Sequence, residues 1–396
     1  MTTSTRQSFL KNLPGESKFV LFCTFYLFAI TGLYALLLGP LLPALSAEYD
    51  LSHTMGGLLL SAHQAGALLA GTFAGVLAGF IGRKNAILSL GGFVLAGLFM
   101  MMLDGNPLWL LVAFLFTGLS RGGINNFATV IINEEAGGAA AAQNFLHGTF
   151  AVGALAAPPL LILATRLFGG DGWRLALWAI LFLLLVAQFI FAKAKINTPV
   201  IEKDGKKADK TFLKDGHFWA NLGILVSYVA IEATLMGFIV TYFVELDLLR
   251  LTTAQTLITA LWLAMLVLRI IIVLSRDAFS NRLILRISAI GTTLAFALLL
   301  FATTRLTIVL AVGGLGLSLA AIIPTTFANL GSTLKKYPSS MGVSLLVSGS
   351  GGIVWPFVVG FFADRFGIHT GMATVLVALA GLIICTWLGT RRKADS

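Results

Sequence analysis

Charge is scarce in this chain. Only 11% of its 396 residues are charged, against 58% that are hydrophobic, whereas soluble domains carry about 25% charged residues. A soluble fold with so few charges would expose large apolar patches, so the composition excludes one and makes the bilayer the solvent. Cysteine is scarcer still. Cys23 and Cys385 sit in apolar runs at opposite ends of the sequence, which excludes a disulfide framework or a thiolate metal centre. There is no P-loop, no nucleophile elbow and no metal-ligand motif, so neither an enzyme nor a resident cofactor is expected. The first apolar run is long enough to span a membrane and lacks a small-residue cleavage pattern, so it does not read as a cleaved signal. A net charge of +10 does not point to nucleic acid in a membrane protein; its distribution carries the information.

What is present is a series of long apolar runs, which select helices over a barrel. At about 20 residues per span, twelve spans are predicted, near 19–46, 54–81, 86–103, 108–133, 142–167, 173–194, 217–245, 253–275, 283–303, 306–333, 341–363 and 368–390. The polar, lysine-rich stretch between the sixth and seventh predicts a six-plus-six division. It comprises an N-terminal half over 1–196, a linker over 197–215 and a C-terminal half over 216–396. Lysine and arginine cluster at the N-terminus, after span two (Arg83, Lys84), in the linker, after span eight (Arg276, Arg282, Arg286), after span ten (Lys335, Lys336) and at the C-terminus. All these clusters fall on one side of an even-span model, which predicts a cytoplasmic-membrane protein with both termini and the linker cytoplasmic. Glu134 and Glu135 interrupt that pattern and read as a solvated helix end. Asp364 and Arg365 read as a surface pair at the outer end of span eleven.

The two halves match at one offset. The "GLS" of 118–120 recurs at 316–318, Gly153 and Pro158 recur as Gly351 and Pro356, Gly39 falls on Gly237, and Thr54 falls on Thr252, all displaced by 198 residues. Duplicated parallel halves of this kind place a solute site between them near the bilayer midplane.

The chain resembles the major facilitator superfamily over its whole length. The loop "GVLAGFIGRKNAIL" is similar to that superfamily's cytoplasmic signature through Gly75, Gly82, Arg83 and Lys84, with Gly79 where the signature has aspartate. The matching second-half stretch, "VLSRDAFSNRLIL", does carry the acid, Asp277. The resemblance implies an all-α membrane protein, with twelve transmembrane helices in two pseudo-symmetric six-helix bundles, and assigns these five residues to a cytoplasmic gate. Within the superfamily, four stretches look like the fucose–proton symporter and sodium-glucose-type sugar transporter family. They are "NFLHGTFAVGALAAPPL" in span five, "YVAIEATLMGFIVTY" in span seven, "WLAMLVLR" in span eight and "GSGGIVWPFVVGFFADRFG" in span eleven. Span one lacks the acid that such symporters often carry, and span four has Arg121 where another is expected.

A charge at the bilayer centre costs about 2.5–3.5 kcal/mol on insertion scales, so mid-span polar residues are site candidates. Glu232 lies mid-span in the seventh run with Tyr228 one turn earlier on the same face. It is a candidate proton carrier or polyol acceptor, or else a packing residue. Arg121 has three competing roles: counter-ion to Glu232, binder of an anionic solute, or gate residue. Asn125 and Asn126 offer both donors and acceptors, for sugar hydroxyls or for joining helices. Asn144 and His147 share a face of span five, and a histidine can titrate near neutral pH. His63 and Gln64 lie in the outer half of span two. Arg269 reads deep in span eight, for snorkelling, gate packing or solute contact. Trp262, Trp355 and Phe127 can stack on a sugar ring or fill the core. The expectation is a secondary transporter for a small polar solute, in the first place a monosaccharide moved inward with a proton by alternating access. Its partners are that solute, a proton or sodium ion and the lipid bilayer, in a monomer. Proton-coupled efflux of drugs or metabolites, and organic-anion transport using Arg121 and Arg269, are the alternatives.

Overall fold

The computed structural model describes residues 13–103, 106–136, 140–196, 209–274, 279–337 and 339–391. Asp277, assigned by resemblance to the gate, and most of the predicted linker lie outside them. The described residues form fifteen α-helices and no strand. They are α1 (Gly15–Tyr49), α2 (His53–Ile81), α3 (Arg83–Met100), α4 (Leu108–Glu135), α5 (Ala140–Phe168), α6 (Gly172–Lys193), α7 (Gly216–Glu245), α8 (Leu251–Leu274), α9 (Asn281–Leu300), α10 (Arg305–Leu319), α11 (Ile322–Asn329), α12 (Gly331–Lys336), α13 (Ser339–Phe366), α14 (Ile368–Ala373) and α15 (Val375–Gly389). Among the described residues, ten stretches are long and apolar enough to cross a membrane, with α5 and α6 falling in one of them.

Two predicted spans are broken. Span ten divides into α10 and α11 because Pro324 lacks the N–H that would bond the carbonyl of Ala320 one turn back. Span twelve divides into α14 and α15 at Thr374. The end of the predicted linker is folded. Thr211–Lys214 form a short 3₁₀ turn that buries Phe212 among Phe218, Leu222, Leu225 and Leu330. The Thr211 hydroxyl donates to the Tyr337 hydroxyl at 3.0 Å. Asp209 accepts from the Thr211 amide at 2.9 Å, and that bond holds its carboxyl below the usual range.

The chain forms two compact units. The first is Met1–Leu37 with Gly66–Lys203, and the second is Leu38–Ala65 with Asp204–Ser396. Residues 38–65, the end of α1 and the start of α2, therefore cluster with the second unit, and the boundary later in the chain falls inside the predicted linker. The 198-residue offset reappears in helix contacts. In the first unit a Cβ on Gly153 of α5 would run into the backbone carbonyl of Ala29 in α1. In the second, a Cβ on Gly351 of α13 would run into the backbone carbonyl of Val226 in α7. Lipid gives helices no hydrophobic reason to associate, so such small-residue approaches carry the packing.

Candidate functional site

The second unit carries an acid about midway along α7. Tyr228, buried on α7, donates its hydroxyl proton to Glu232 Oε1 at 2.7 Å, one turn along the same helix. A hydrogen bond to a carboxylate is about twice as strong as one between neutral groups. The half-buried Glu232 is thereby held in one rotamer by a partner that takes no charge from it. The charge of Arg269 on α8 is near enough to act on the Tyr228 hydroxyl.

Arg269 is positioned by the break in span ten. Its Nε donates to the Ala320 carbonyl at 3.4 Å, the carbonyl that Pro324 leaves without its helical donor. The arginine read as snorkelling, gate packing or solute contact thus donates to a helix end from the neighbouring helix. The same face of α8 carries more polarity. Gln255, Thr259, Trp262 and Arg269 follow at spacings of four, three and seven residues, which lie along one side of a helix. Gln255 Nε2 donates to the Pro40 carbonyl at 3.2 Å. Its buried Oε1 and the Thr259 hydroxyl have no hydrogen-bond partner among the described residues, and the same holds for Trp355 Nε1 on α13. Gln255 and Thr259 were missed at the sequence level, although the helical spacing from Trp262 is a signal that finds them. His63 is buried and Gln64 half-buried in α2, with the Gln64 amide beside Gly352 of α13.

The first unit holds the other candidates in separate settings. Arg121 is half-buried on α4, and its charge acts on the fully buried Tyr34 hydroxyl of α1. Asn126 Nδ2 donates to the Gly71 carbonyl at 3.0 Å, a bond between α4 and α2, whereas Asn125 is exposed. His147 is exposed with its ring edge-on to Phe28 at 5.9 Å between centroids, and Asn144 is exposed on the same face. Phe127 is buried in a tightly filled apolar setting with Leu27, Ile87, Ile124 and Ile131, which suits packing.

The Major Facilitator Superfamily model matches residues 19–249. The chain belongs to that superfamily. No curated protein sequence matches it. Among solved structures it is similar to a bacterial homologue of the human lysosomal transporter Spinster in an inward-facing, occupied conformation, with 14% identity, 96% of this chain and 99% of that one covered, and a TM-score of 0.70. It is also similar to the nucleoside transporter NupG, at 13% identity with 96% and 100% coverage and a TM-score of 0.71. A D-xylose–proton symporter matches at 12% identity, 94% and 97% coverage and a TM-score of 0.72. At these identities the likeness shows the fold. The protein is a multi-pass membrane transporter of the superfamily and not an enzyme.

The superfamily's loop signature takes a definite form here. Gly82, at φ 81°, makes the turn between α2 and α3 in the left-handed region that favours glycine. Arg83 then opens α3 and is buried, with Nη2 donating to Glu134 Oε1 at 3.1 Å and Nη1 to Oε2. Glu134 is an exposed helix end, as read, and is also the partner of Arg83. Lys84 is half-buried, and Gly75 is exposed on α2 with no neighbour close to its Cβ direction. Asp364 and Arg365 do not pair as a surface dipeptide. Asp364 accepts from His53 and from the Thr54 amide, while Arg365 lies over the Phe361 ring at 4.0 Å.

Proposed function

We propose that the protein moves a small polyhydroxylated solute, in the first place a monosaccharide, inward with a proton by alternating access. The observation that carries this reading is the Tyr228–Glu232 pair within a buried stretch of α7, with the charge of Arg269, at one end of the polar face of α8, acting on Tyr228. Gln255 and Thr259 offer neutral donors and acceptors, and Trp262 adds an aromatic face, a mixture that suits sugar hydroxyls. Glu232 is the titratable member, so a proton on it and an arriving solute change the same hydrogen bonds. The shared fold with a D-xylose–proton symporter and a nucleoside transporter, both carrying polyhydroxylated solutes by name, supports the same class. An organic-anion reading is favoured by one feature, the two arginines, Arg121 and Arg269, within helices.

Glu232→Gln separates the roles. In proteoliposomes this substitution is expected to abolish accumulation driven by a proton gradient while leaving solute exchange within about threefold of wild type, because an amide keeps the hydrogen bond from Tyr228 and loses the titration. Equal loss of both activities would make Glu232 a binding or folding residue. A thermal-shift screen of sugars against carboxylates distinguishes the cargo classes, since a specific ligand stabilises by mass action. Stabilisation by carboxylates that is lost in Arg269→Ala would replace the sugar reading with the anion one.

A further inference from the structure

The end of the second unit where α1 turns into α2 is fastened by one histidine held between two acids. His53, the first residue of α2, places Nδ1 2.8 Å from Asp364 Oδ1 of α13. Its Nε2 lies 2.8 and 2.9 Å from the two carboxylate oxygens of Glu245, the last residue of α7. Asp364 also accepts from the backbone amides of His53 and Thr54, each at 2.8 Å. It therefore caps the positive end of α2 from another helix. The backbones are close as well, because a Cβ on Gly360 of α13 would run into the His53 carbonyl. One turn back on α7, Tyr242 bonds His369 Nδ1 on α14 at 3.0 Å, which extends the same layer. The charged groups facing His53 are Glu245 and Asp364.

Proton count decides what this arrangement does. A neutral imidazole has one N–H, and its other nitrogen is an acceptor. With a carboxylate on each side, the neutral ring satisfies one acid and sets a lone pair against the other. The imidazolium donates to both. The fastened arrangement therefore binds a proton more tightly than one in which His53 has left Glu245 and Asp364. By linkage it strengthens as pH falls through the histidine range and loosens as pH rises through it. The backbone cap from Asp364 does not titrate in the histidine range, so the contact with Glu245 is the switched one.

We infer that His53, Glu245 and Asp364 form a proton-operated latch, which holds the tip of the α1–α2 hairpin on the ends of α7 and α13 and releases it when His53 loses its proton. On the topology predicted from lysine and arginine, this end faces outside, so the latch senses external pH. The inference goes beyond the transport reading and uses no solute.

The test is a distance measurement on the full chain in nanodiscs, with spin labels at Ala47→Cys and Phe366→Cys, both exposed, and with Cys23 and Cys385 replaced by serine. Between about pH 8.5 and pH 6 the ratio of short to long distances is expected to rise about tenfold, the worth of one charge-assisted hydrogen bond. His53→Gln should abolish that dependence, and His53→Lys, a fixed cation, should keep the short distance at both pH values. A pH response surviving in His53→Gln, or identical distances across the range in the unsubstituted latch, overturns the inference.

Discussion

Arg83 and Glu134 each sit at the wrong end of a helix. A cation at the start of α3 and an anion at the end of α4 both oppose their helix dipoles, and pairing them offsets both penalties. Arg83 is buried whereas the Glu134 side chain is 45% exposed. Arg83→Ala is therefore expected to lower stability by about 1–2 kcal/mol, less than the roughly 3–5 kcal/mol of a fully buried pair, and a thermal-unfolding comparison checks it. Glu134→Gln, which keeps one hydrogen bond, should cost less. Single residues were unevenly legible in the sequence. Glu232 stood out because a carboxylate in an apolar run is expensive, and its partner Tyr228 lies one turn away. The partners of His53 lie 192 and 311 residues along the chain, and no local pattern reaches that far. The partner of Glu134 went unseen for the same reason, since Arg83 is 51 residues away.

At the level of elements, hydropathy marked where the helices are but not where they break. Span ten read as one apolar run, and its interruption is a backbone event at Pro324 that hydropathy does not register. The duplicated glycines were more informative. Gly153 and Gly351 mark where α5 meets α1 and where α13 meets α7, because a side chain at either position would collide with a neighbouring backbone rather than a movable side chain. Gly351→Ala is expected to destabilise by about 1–3 kcal/mol through overpacking. Gly148→Ala on α5, where a Cβ meets nothing within 4 Å, should be neutral or gain up to about 1 kcal/mol from helix propensity. Thermal unfolding of the two variants side by side decides between a packing role for the repeat and a coincidence of composition.

At the scale of the whole molecule, composition and repeat together were enough for the fold, because so few architectures satisfy backbone hydrogen bonds in lipid. The superfamily match and the shared fold agree with it. Orientation rests on the distribution of lysine and arginine alone. It predicts that trypsin cuts at Lys203–Lys210 in inverted membrane vesicles and spares that stretch in right-side-out ones, read by immunoblot of the two halves. Cleavage from the opposite face would reverse the topology and turn the His53 end inward. Cargo was the least legible property at this scale. The polar face of α8 is made of residue types that serve many solutes, and which of them it selects depends on fractions of an ångström that spacing does not encode.

The vacant helical acceptor at Ala320 ties two features that seem unrelated. Pro324 removes an amide, and Arg269 donates to the vacated carbonyl from a different helix. A gap in one helix's ladder, opened by a missing N–H, thus becomes the seat of a charge carried by its neighbour.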